Sequence, residues 1–518
     1  MNLKKTKWLI LCCVVFLITL HFSFNVNKSD SPNLIIILAD DLGYSDVGFN
    51  GCKDIPTPNI DAIANNGVKF TDGYVTYPVC GPSRAGLLTG RYQDRFGFTT
   101  NPTVDPQNEN AGLPVEEEMI SEALQKANYK SAIIGKWHMG THPRFHPLKQ
   151  GWDYFFGFLT GGHNYFPEKL IYNDFSEVKW PYGWYSMKLL ENYKRIDIDD
   201  YLTDELSDAA VRYIKKQVKA NQKFLVYLSY NAPHAPLQAT SKYLDRFPEI
   251  ENKRRKKYAA MVSAMDDGVG RVMNAIKSAG QEENTIVVFL SDNGGPVHKN
   301  GSKNFPLRGG KSDLYEGGIR VPFAMQWKGK IKKGMEYNYP VSSMDIMGTI
   351  CEIAGVKTKN KLDGVNLLPF LKTKNKAMPH DVLFWRKWEQ NAMAIRSDKL
   401  KLVANRDKSK TPPALYNLEQ DLALSEKQIS DSRNFLRSGR DYFPDNTSLW
   451  KLASYLQENL TEEQKERLLS HPEYLQAEEI SEENDDHHKR LRHHHRMDEF
   501  IQSILNADQL SDYENIVN

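Results

Sequence analysis

Asn33-Leu34-Ile35-Ile36-Ile37-Leu38-Ala39-Asp40-Asp41 is the stretch on which the fold of this chain turns. A short apolar run with no polar alternation, ending in two aspartates, reads as a strand buried on both faces. That environment belongs to parallel sheets covered by helices. Working outward, the pattern returns in Ser131-Ala132-Ile133-Ile134, in Phe224-Leu225-Val226-Tyr227-Leu228-Ser229 and in Thr285-Ile286-Val287-Val288-Phe289-Leu290. Between these runs, apolar residues recur at helical spacing: Met119, Ile120, Ala123, Leu124 and Ala127 within 116–129, then Leu206, Ala209, Ala210, Tyr213 and Ile214 within 201–220. Tyr258, Met261, Val262, Met265, Val269, Val272 and Ile276 follow, with Gly280 placed to end their helix. Alternation of this kind predicts crossover helices on a parallel sheet. Phe323–Trp327 reads as one more strand and 345–355 as one more helix. Residues 140–201, rich in aromatics but without periodicity, read as long loops of the functional kind.

Around Lys357 the pattern changes. Val382–Trp385, Ala392–Ile395 and Leu400–Val403, the last two joined at Ser397-Asp398, read as short antiparallel strands. The predicted fold class is therefore α/β: a large mixed, mostly parallel sheet sandwiched by helices, with a smaller C-terminal antiparallel-sheet subdomain. The expected divisions are a catalytic-size domain over 32–356, the subdomain over 357–424, and a charged, partly helical or disordered extension over 425–518.

Four of the predicted parallel strands end in groups suited to polar chemistry. They supply Asp40-Asp41, Lys136 with His138, His234, and Asp292-Asn293. In open α/β sheets, ligands bind outside the carboxyl ends of the strands, so these distant residues are expected to converge. Asp40, Asp41, Asp292 and Asn293 offer hard oxygen ligands without a thiolate or imidazole cluster. Ca²⁺ or Mg²⁺ suits such a set better than zinc. His138 and His234 are groups that titrate near neutral pH.

Val79-Cys80-Gly81-Pro82-Ser83-Arg84-Ala85-Gly86-Leu87-Leu88-Thr89-Gly90-Arg91-Tyr92 adds a nucleophile. Proline suits the first turn of a helix, where its missing N–H goes unneeded, so Cys80 is expected at a helix N-terminus that favours anions. Arg84 follows one turn later. Cys80-Gly81-Pro82-Ser83-Arg84 with Thr89-Gly90-Arg91 resembles the C-x-P-S-R and T-G-R signature of the formylglycine-dependent (type I) sulfatases, a family of the alkaline phosphatase superfamily.

That resemblance, which covers Pro32 to about Leu424, implies a set of roles. Cys80 would be oxidised by a formylglycine-generating maturation enzyme to 3-oxoalanine, the formylglycine residue. Asp40, Asp41, Asp292 and Asn293 match the family's metal ligands, with the modified Cys80 also coordinating and Ca²⁺ expected over Mg²⁺. Arg84, Lys136 and Lys311 would neutralise sulfate. The hydrated aldehyde would attack sulfur, His234 would protonate the leaving alcohol, and His138 would take a proton as the resulting ester collapses. A polar sulfate contact of the family has no clear match here; Gly161-Gly162-His163-Asn164 is the candidate stretch, with His163 its side chain. Asn304 and Arg308, beside Lys311, are the other expected substrate contacts, and Asp94-Arg95-Phe96-Gly97 resembles polysaccharide-directed members. The implied activity is hydrolysis of sulfate esters on a sulfated polysaccharide or oligosaccharide. A phosphodiester or phosphonate monoester hydrolase of the same superfamily, and a catalytically silent carbohydrate-binding protein, are the alternatives.

Composition agrees with this class. At 518 residues the chain can bury one large core and a satellite. A net charge of +2 supplies no bulk attraction for nucleic acid. Lys4, Lys5 and Lys7 precede an apolar run from Trp8 to Phe24, the plan of a secretory signal peptide over 1–28. Its length also borders on that of a membrane anchor. No other membrane segment is expected, and the protein should be secreted or periplasmic, or held at the cell surface. Of 5 cysteines, Cys12 and Cys13 lie inside that run, which leaves Cys52–Cys351 as the one pairing open beside Cys80. The tract His487 to His495 has the composition of a metal-binding or a solvated tail.

Overall fold

The computed structural model describes residues 31–372, 377–405 and 413–418. The expected signal segment and charged extension, with its histidine tract, lie outside the described residues. The main elements, in chain order, are β1 (Asn33–Ala39), α1 (Pro58–Asn65), β2 (Val68–Phe70), β3 (Gly73–Tyr74), α2 (Cys80–Thr89), α3 (Ile120–Gln125), β4 (Lys130–Lys136) and β5 (Tyr154–Phe158). β6 (Leu189–Glu191), β7 (Lys194–Ile196), α4 (Leu202–Lys219), β8 (Phe224–Ser229), α5 (Lys253–Ser278), β9 (Thr285–Ser291) and β10 (Phe323–Trp327) follow. The chain continues through β11 (Met335–Tyr337), β12 (Val341–Ser342), α6 (Asp345–Ile353), β13 (Leu383–Lys387), β14 (Ala392–Ser397), β15 (Leu400–Asn405) and β16 (Ala414–Asn417).

One sheet of ten strands, in the order β11-β2-β10-β9-β1-β8-β4-β5-β6-β7, organises the molecule. Its centre is parallel: β1 pairs with β9 and β8, β8 with β4, and β4 with β5. β10 and the β6–β7 hairpin run antiparallel to their inner neighbours. The unbroken apolar runs follow from burial on both faces. Ile35, Ile37 and Ala39 join one core, beneath α4 and α5; Leu34, Ile36 and Leu38 join the other, beneath α2, α3 and α6. Each such side chain contributes about 1.5–3 kcal/mol when withdrawn from water. Cys52 packs against the first core and Cys351 lies in the second, so the sheet stands between them and both are free thiols.

Two expectations need correcting. The helix predicted over 116–129 is confined to Ile120–Gln125, because the Glu122 side chain accepts the Met119 N–H at 2.9 Å and starts the helix there. At its far end Asn128 adopts a left-handed backbone, φ 62°. Residues 140–201 are not all loop. Tyr154–Phe158 continues the parallel sheet beside β4, and the β6–β7 hairpin closes that edge. Four aromatics around Gly157 replace the aliphatic run that marks the other strands, so no strand pattern was visible.

The separate C-terminal sheet, β13-β14-β15-β16, is antiparallel throughout. It packs on Leu314, Ile319 and Val321 of the chain just after Lys311 through Leu383, Trp385 and Val403. Buried ion pairs join the same surfaces, Arg396 to Asp72 at 2.6 Å and Lys401 to Glu316 at 2.6 Å. Lys387 Nζ also donates to the Ser312 carbonyl oxygen at 2.9 Å. This sheet thereby fixes the loop that carries Lys311.

Candidate active site

The ends of β1, β4, β8 and β9 meet α2 in one buried cluster. Cys80 is the first residue of α2, and Val79 before it is extended, so the thiol stands where the helix N–H groups are unpaired. Its Sγ lies 3.5 Å from Asp40 Oδ1 and 3.3 Å from Lys311 Nζ. Burial pushes the thiol up to about 12, against the pull of Lys136 and Lys311.

Three carboxylates here face three cations. Lys136 Nζ sits 2.6 Å from Asp40 Oδ2. Arg84 donates to Asp292 Oδ2 through Nε at 3.0 Å and Nη2 at 2.7 Å, and its Nη1 donates to Ser229 Oγ. Lys311 Nζ meets Asp41 Oδ1 at 2.7 Å. Burial alone would raise the Asp41 carboxyl, but Lys311 and His234 hold it well below the usual carboxylate range. Arg84 and Lys136 are wholly buried within these pairs, whereas Lys311 keeps partial exposure. Lys311 is therefore the cation an incoming anion meets first. Three of the contributing loops hold a non-glycine residue in the left-handed region: Asp41 at φ 66°, His138 at 59° and Ser312 at 79°. Such strain concentrates where function requires a side chain to be re-aimed.

A metal suits this donor set. Asp40, Asp41, Cys80 and His234 offer ligand atoms all within 4.8 Å of one another. Asn293 donates through Nδ2 to Asp41 Oδ1 at 2.7 Å, while its buried Oδ1 has no hydrogen-bond partner. An orphaned amide oxygen beside two carboxylates is the environment a hard divalent cation fills. Asp292 borders the same group, accepting the Asp41 N–H at 3.2 Å. His234, expected to work on the leaving group, thus also stands among the potential ligands.

The two histidines are held differently. His234 Nδ1 donates to the Ala235 carbonyl oxygen at 2.6 Å, which leaves the lone pair on Nε2, 3.6 Å from Asp41 Oδ2. Burial, with Lys311 and Lys136 nearby, pulls His234 down to about 3 although Asp41 opposes. His138 is buried, its Nδ1 is unpartnered, and burial beside Lys136 and Arg84 lowers it well below the usual range. Gly161 packs so closely that an added Cβ would lie 2.5 Å from His138 Nε2. Gly161→Ala is expected to displace that ring and lower kcat about a hundredfold with little loss of stability, measured by aryl sulfate turnover and denaturant unfolding.

Each of the three expected substrate contacts has a partner within the fold. Asn304 is buried with its amide spent on backbone: Oδ1 accepts from Tyr44 and Gly295 N–H, and Nδ2 donates to the Gly295 and Gly309 carbonyls at 2.8 and 3.0 Å. It shapes the Lys311 loop. Arg308 lies over the Tyr315 ring at 4.0 Å and donates to Tyr416 Oη at 3.1 Å, toward the C-terminal sheet. His163 is buried against Phe158, at 4.5 Å between ring centroids, with Nδ1 on the Asn164 carbonyl oxygen and its acidity pushed to about 4 by burial. Sequence reasoning missed Ser229, which supports Arg84 and donates to the Lys136 carbonyl oxygen at 2.7 Å. Its position at the end of β8 was the only signal.

Residues 32–356 match the family described as Sulfatase, and residues 310–434 match that described as N-sulphoglucosamine sulphohydrolase, C-terminal. The chain is 34% identical over 370 residues to N-acetylgalactosamine-6-sulfatase of Mus musculus, covering 68% of this chain and 69% of that protein. It is 33% identical over 411 residues to uncharacterized sulfatase YdeN of Escherichia coli (strain K12), covering 68% of each. Among solved structures, Ps i-CgsB in complex with k-i-k-neocarrahexaose matches with a TM-score of 0.71 at 40% identity, over 78% of this chain and 91% of that one.

Proposed function

The chain belongs to the sulfatase family and hydrolyses sulfate esters, and from that premise we propose that its substrate is a sulfated glycan of the galactose series, cleaved with a formylglycine formed from Cys80. The observation that carries the substrate reading is the 40% identity to a protein solved with a carrageenan-type hexasaccharide. The mouse relative, named for N-acetylgalactosamine, shares the same sugar configuration. The position of Cys80 at the helix start, between Asp40 and Lys311, supports its conversion by a maturation enzyme into the reacting group. A secreted or periplasmic setting, or the cell surface, fits a polymeric substrate. Among the described residues no helix is long and apolar enough to cross a membrane.

Asp40, Asp41, Asp292 and Asn293, with the converted Cys80, would hold Ca²⁺, or Mg²⁺ as the weaker fit, and the cation would polarise the sulfate oxygens. The protein's own charges prepare for an anion. Three carboxylates and three cations balance one another, so a divalent ion leaves the site positive, complementary to a sulfate monoester. Conversion of Cys80 supplies the paired hydroxyls of an aldehyde hydrate as the nucleophile. Lys311, the one partly exposed cation of the three, pairs with the entering sulfate oxygens. Lys136 and Arg84 keep Asp40 and Asp292 in place. His234 Nε2 faces this centre, and a bound sulfate favours its protonated form, which can then give the proton to the leaving alcohol.

This role has a differential consequence. His234→Ala is expected to lose sulfate release from sugar alcohols by about a hundred- to ten-thousandfold while retaining much of its rate on nitrophenyl sulfate, whose leaving group needs no proton. Equal losses on both substrates would remove His234 from that role. The glycan reading itself is tested by sulfate release from sulfated galactose-type and glucose-type oligosaccharides, with an aryl phosphate diester assayed in parallel. Faster turnover of the phosphate diester would favour the phosphoester alternative. The mass of the Cys80 peptide tests conversion directly.

A further inference from the structure

The turn at 180–187 carries four aromatic side chains that the chemistry at Cys80 leaves unused: Trp180, Tyr182, Trp184 and Tyr185. Trp180 and Tyr182 are 54% and 66% exposed. Tyr182, Trp184 and Tyr185 touch one another, with ring centroids 5.2, 6.0 and 6.4 Å apart, and so form a single cluster. Exposed, contiguous rings of this kind mark a contact surface.

One end of the cluster enters the active site. An added methyl at Gly162 would collide with the hydroxyl end of Tyr185, and one at Gly161 would strike His138 Nε2. Neighbouring Cα atoms are about 3.8 Å apart, so the phenol oxygen lies within about 12 Å of the His138 ring. Burial and the Asp40 carboxylate push this phenol up to about 12 while Lys311 opposes, which places it in the field of the catalytic charges. Its hydroxyl makes no hydrogen bond to any described residue. The turn is also held to the histidine loops. Asn164 donates its N–H to the Tyr185 carbonyl oxygen at 2.9 Å and its Nδ2 to Ser186 Oγ at 3.0 Å. Asn164 Oδ1 in turn accepts from Gln238 Nε2 at 2.9 Å, on the segment that follows His234.

A pyranose presents an apolar C–H face and a rim of hydroxyls, the shape that an aromatic ring with one polar end complements. Resting on the sulfated-glycan reading above, we infer that Tyr185 hydrogen-bonds the sugar bearing the scissile sulfate, and that Tyr182 with Trp184 forms the platform on which the adjoining ring stacks. The turn then selects chains of sugars over small sulfate esters.

Tyr185→Phe and Tyr182→Ala test this, each in two settings. On a Cys80→Ser background, calorimetry with neocarrahexaose is expected to show about tenfold weaker binding for each variant. In the otherwise unaltered enzyme, the ratio of kcat/KM on neocarrahexaose to that on nitrophenyl sulfate should fall by a similar factor. Unchanged affinity and ratio, or equal losses on both substrates, would overturn the platform. A parent protein that cleaves nitrophenyl sulfate but does not bind the hexasaccharide would overturn it too, leaving the sulfatase chemistry intact. Platform-dependent binding without sulfate release from any substrate would support the platform and defeat the catalytic reading.

Discussion

Replacing Cys80 by alanine is expected to abolish sulfate release while the protein remains folded. The residue opens α2, and alanine is the better helix former at such a position. Its thiol makes two polar contacts, to Asp40 Oδ1 and Lys311 Nζ. Asp40 keeps Lys136 and Lys311 keeps Asp41, so no charge is stranded. The catalytic loss is large because the nucleophile has no substitute within the cluster. Removal of a nucleophile that acts with its neighbours as a unit costs on the order of a millionfold in kcat. Cys80→Ser should be equally inactive in a host whose maturation enzyme accepts only cysteine. Sulfate released from aryl sulfate, measured beside denaturant unfolding, decides the matter: turnover by the alanine variant at the parent rate would defeat the formylglycine reading.

Asp292→Ala should damage both activity and stability. Arg84 and Asp292 are wholly buried and bonded through two guanidinium nitrogens. Truncation leaves the guanidinium uncompensated except by Asp40, 3.7 Å away. Stranding one partner of a buried ion pair costs about 3–5 kcal/mol. It also removes a carboxylate from the proposed metal ligands, so calcium affinity should fall together with turnover. Asp292→Asn, which keeps the shape, separates the two effects: it should recover part of the stability but not the calcium affinity. Calorimetric titration with Ca²⁺ and denaturant unfolding provide the readings, and chelator-treated parent enzyme should lose activity and regain it with Ca²⁺. Parent-like calcium affinity in both variants would exclude Asp292 from the metal site.

Much of the architecture was legible because its causes are local. A strand buried on both faces needs an unbroken apolar run, and the runs at β1, β8 and β9 show it. The long helices α4 and α5 show the helical period because each turns one face to the core. Where another cause acted, reading failed. β5 pairs as a parallel strand with aromatics in place of aliphatic residues, and Glu122 shortened the helix predicted around it by capping the backbone.

The site divides in the same way. Sequence by itself determined the central parallel strands β1, β4, β8 and β9, the helix-start position of Cys80 and the convergence of Asp40, Asp41, Lys136, His138, His234, Asp292 and Asn293, since strand ends in a parallel sheet meet at one edge. Tertiary structure alone decided which polar side chains remain free to act. Asn304, Arg308 and His163 look alike in a linear chain, yet folding spends the Asn304 amide on backbone, sets an Arg308 nitrogen on Tyr416 and leaves the buried His163 Nε2 without a hydrogen bond. Tyr185, one aromatic among many in the sequence, stands beside the catalytic charges because Gly161 and Gly162 leave room for it and for His138. Hydrogen-bonding capacity is finite, and a group's share is settled by the neighbours that folding brings to it.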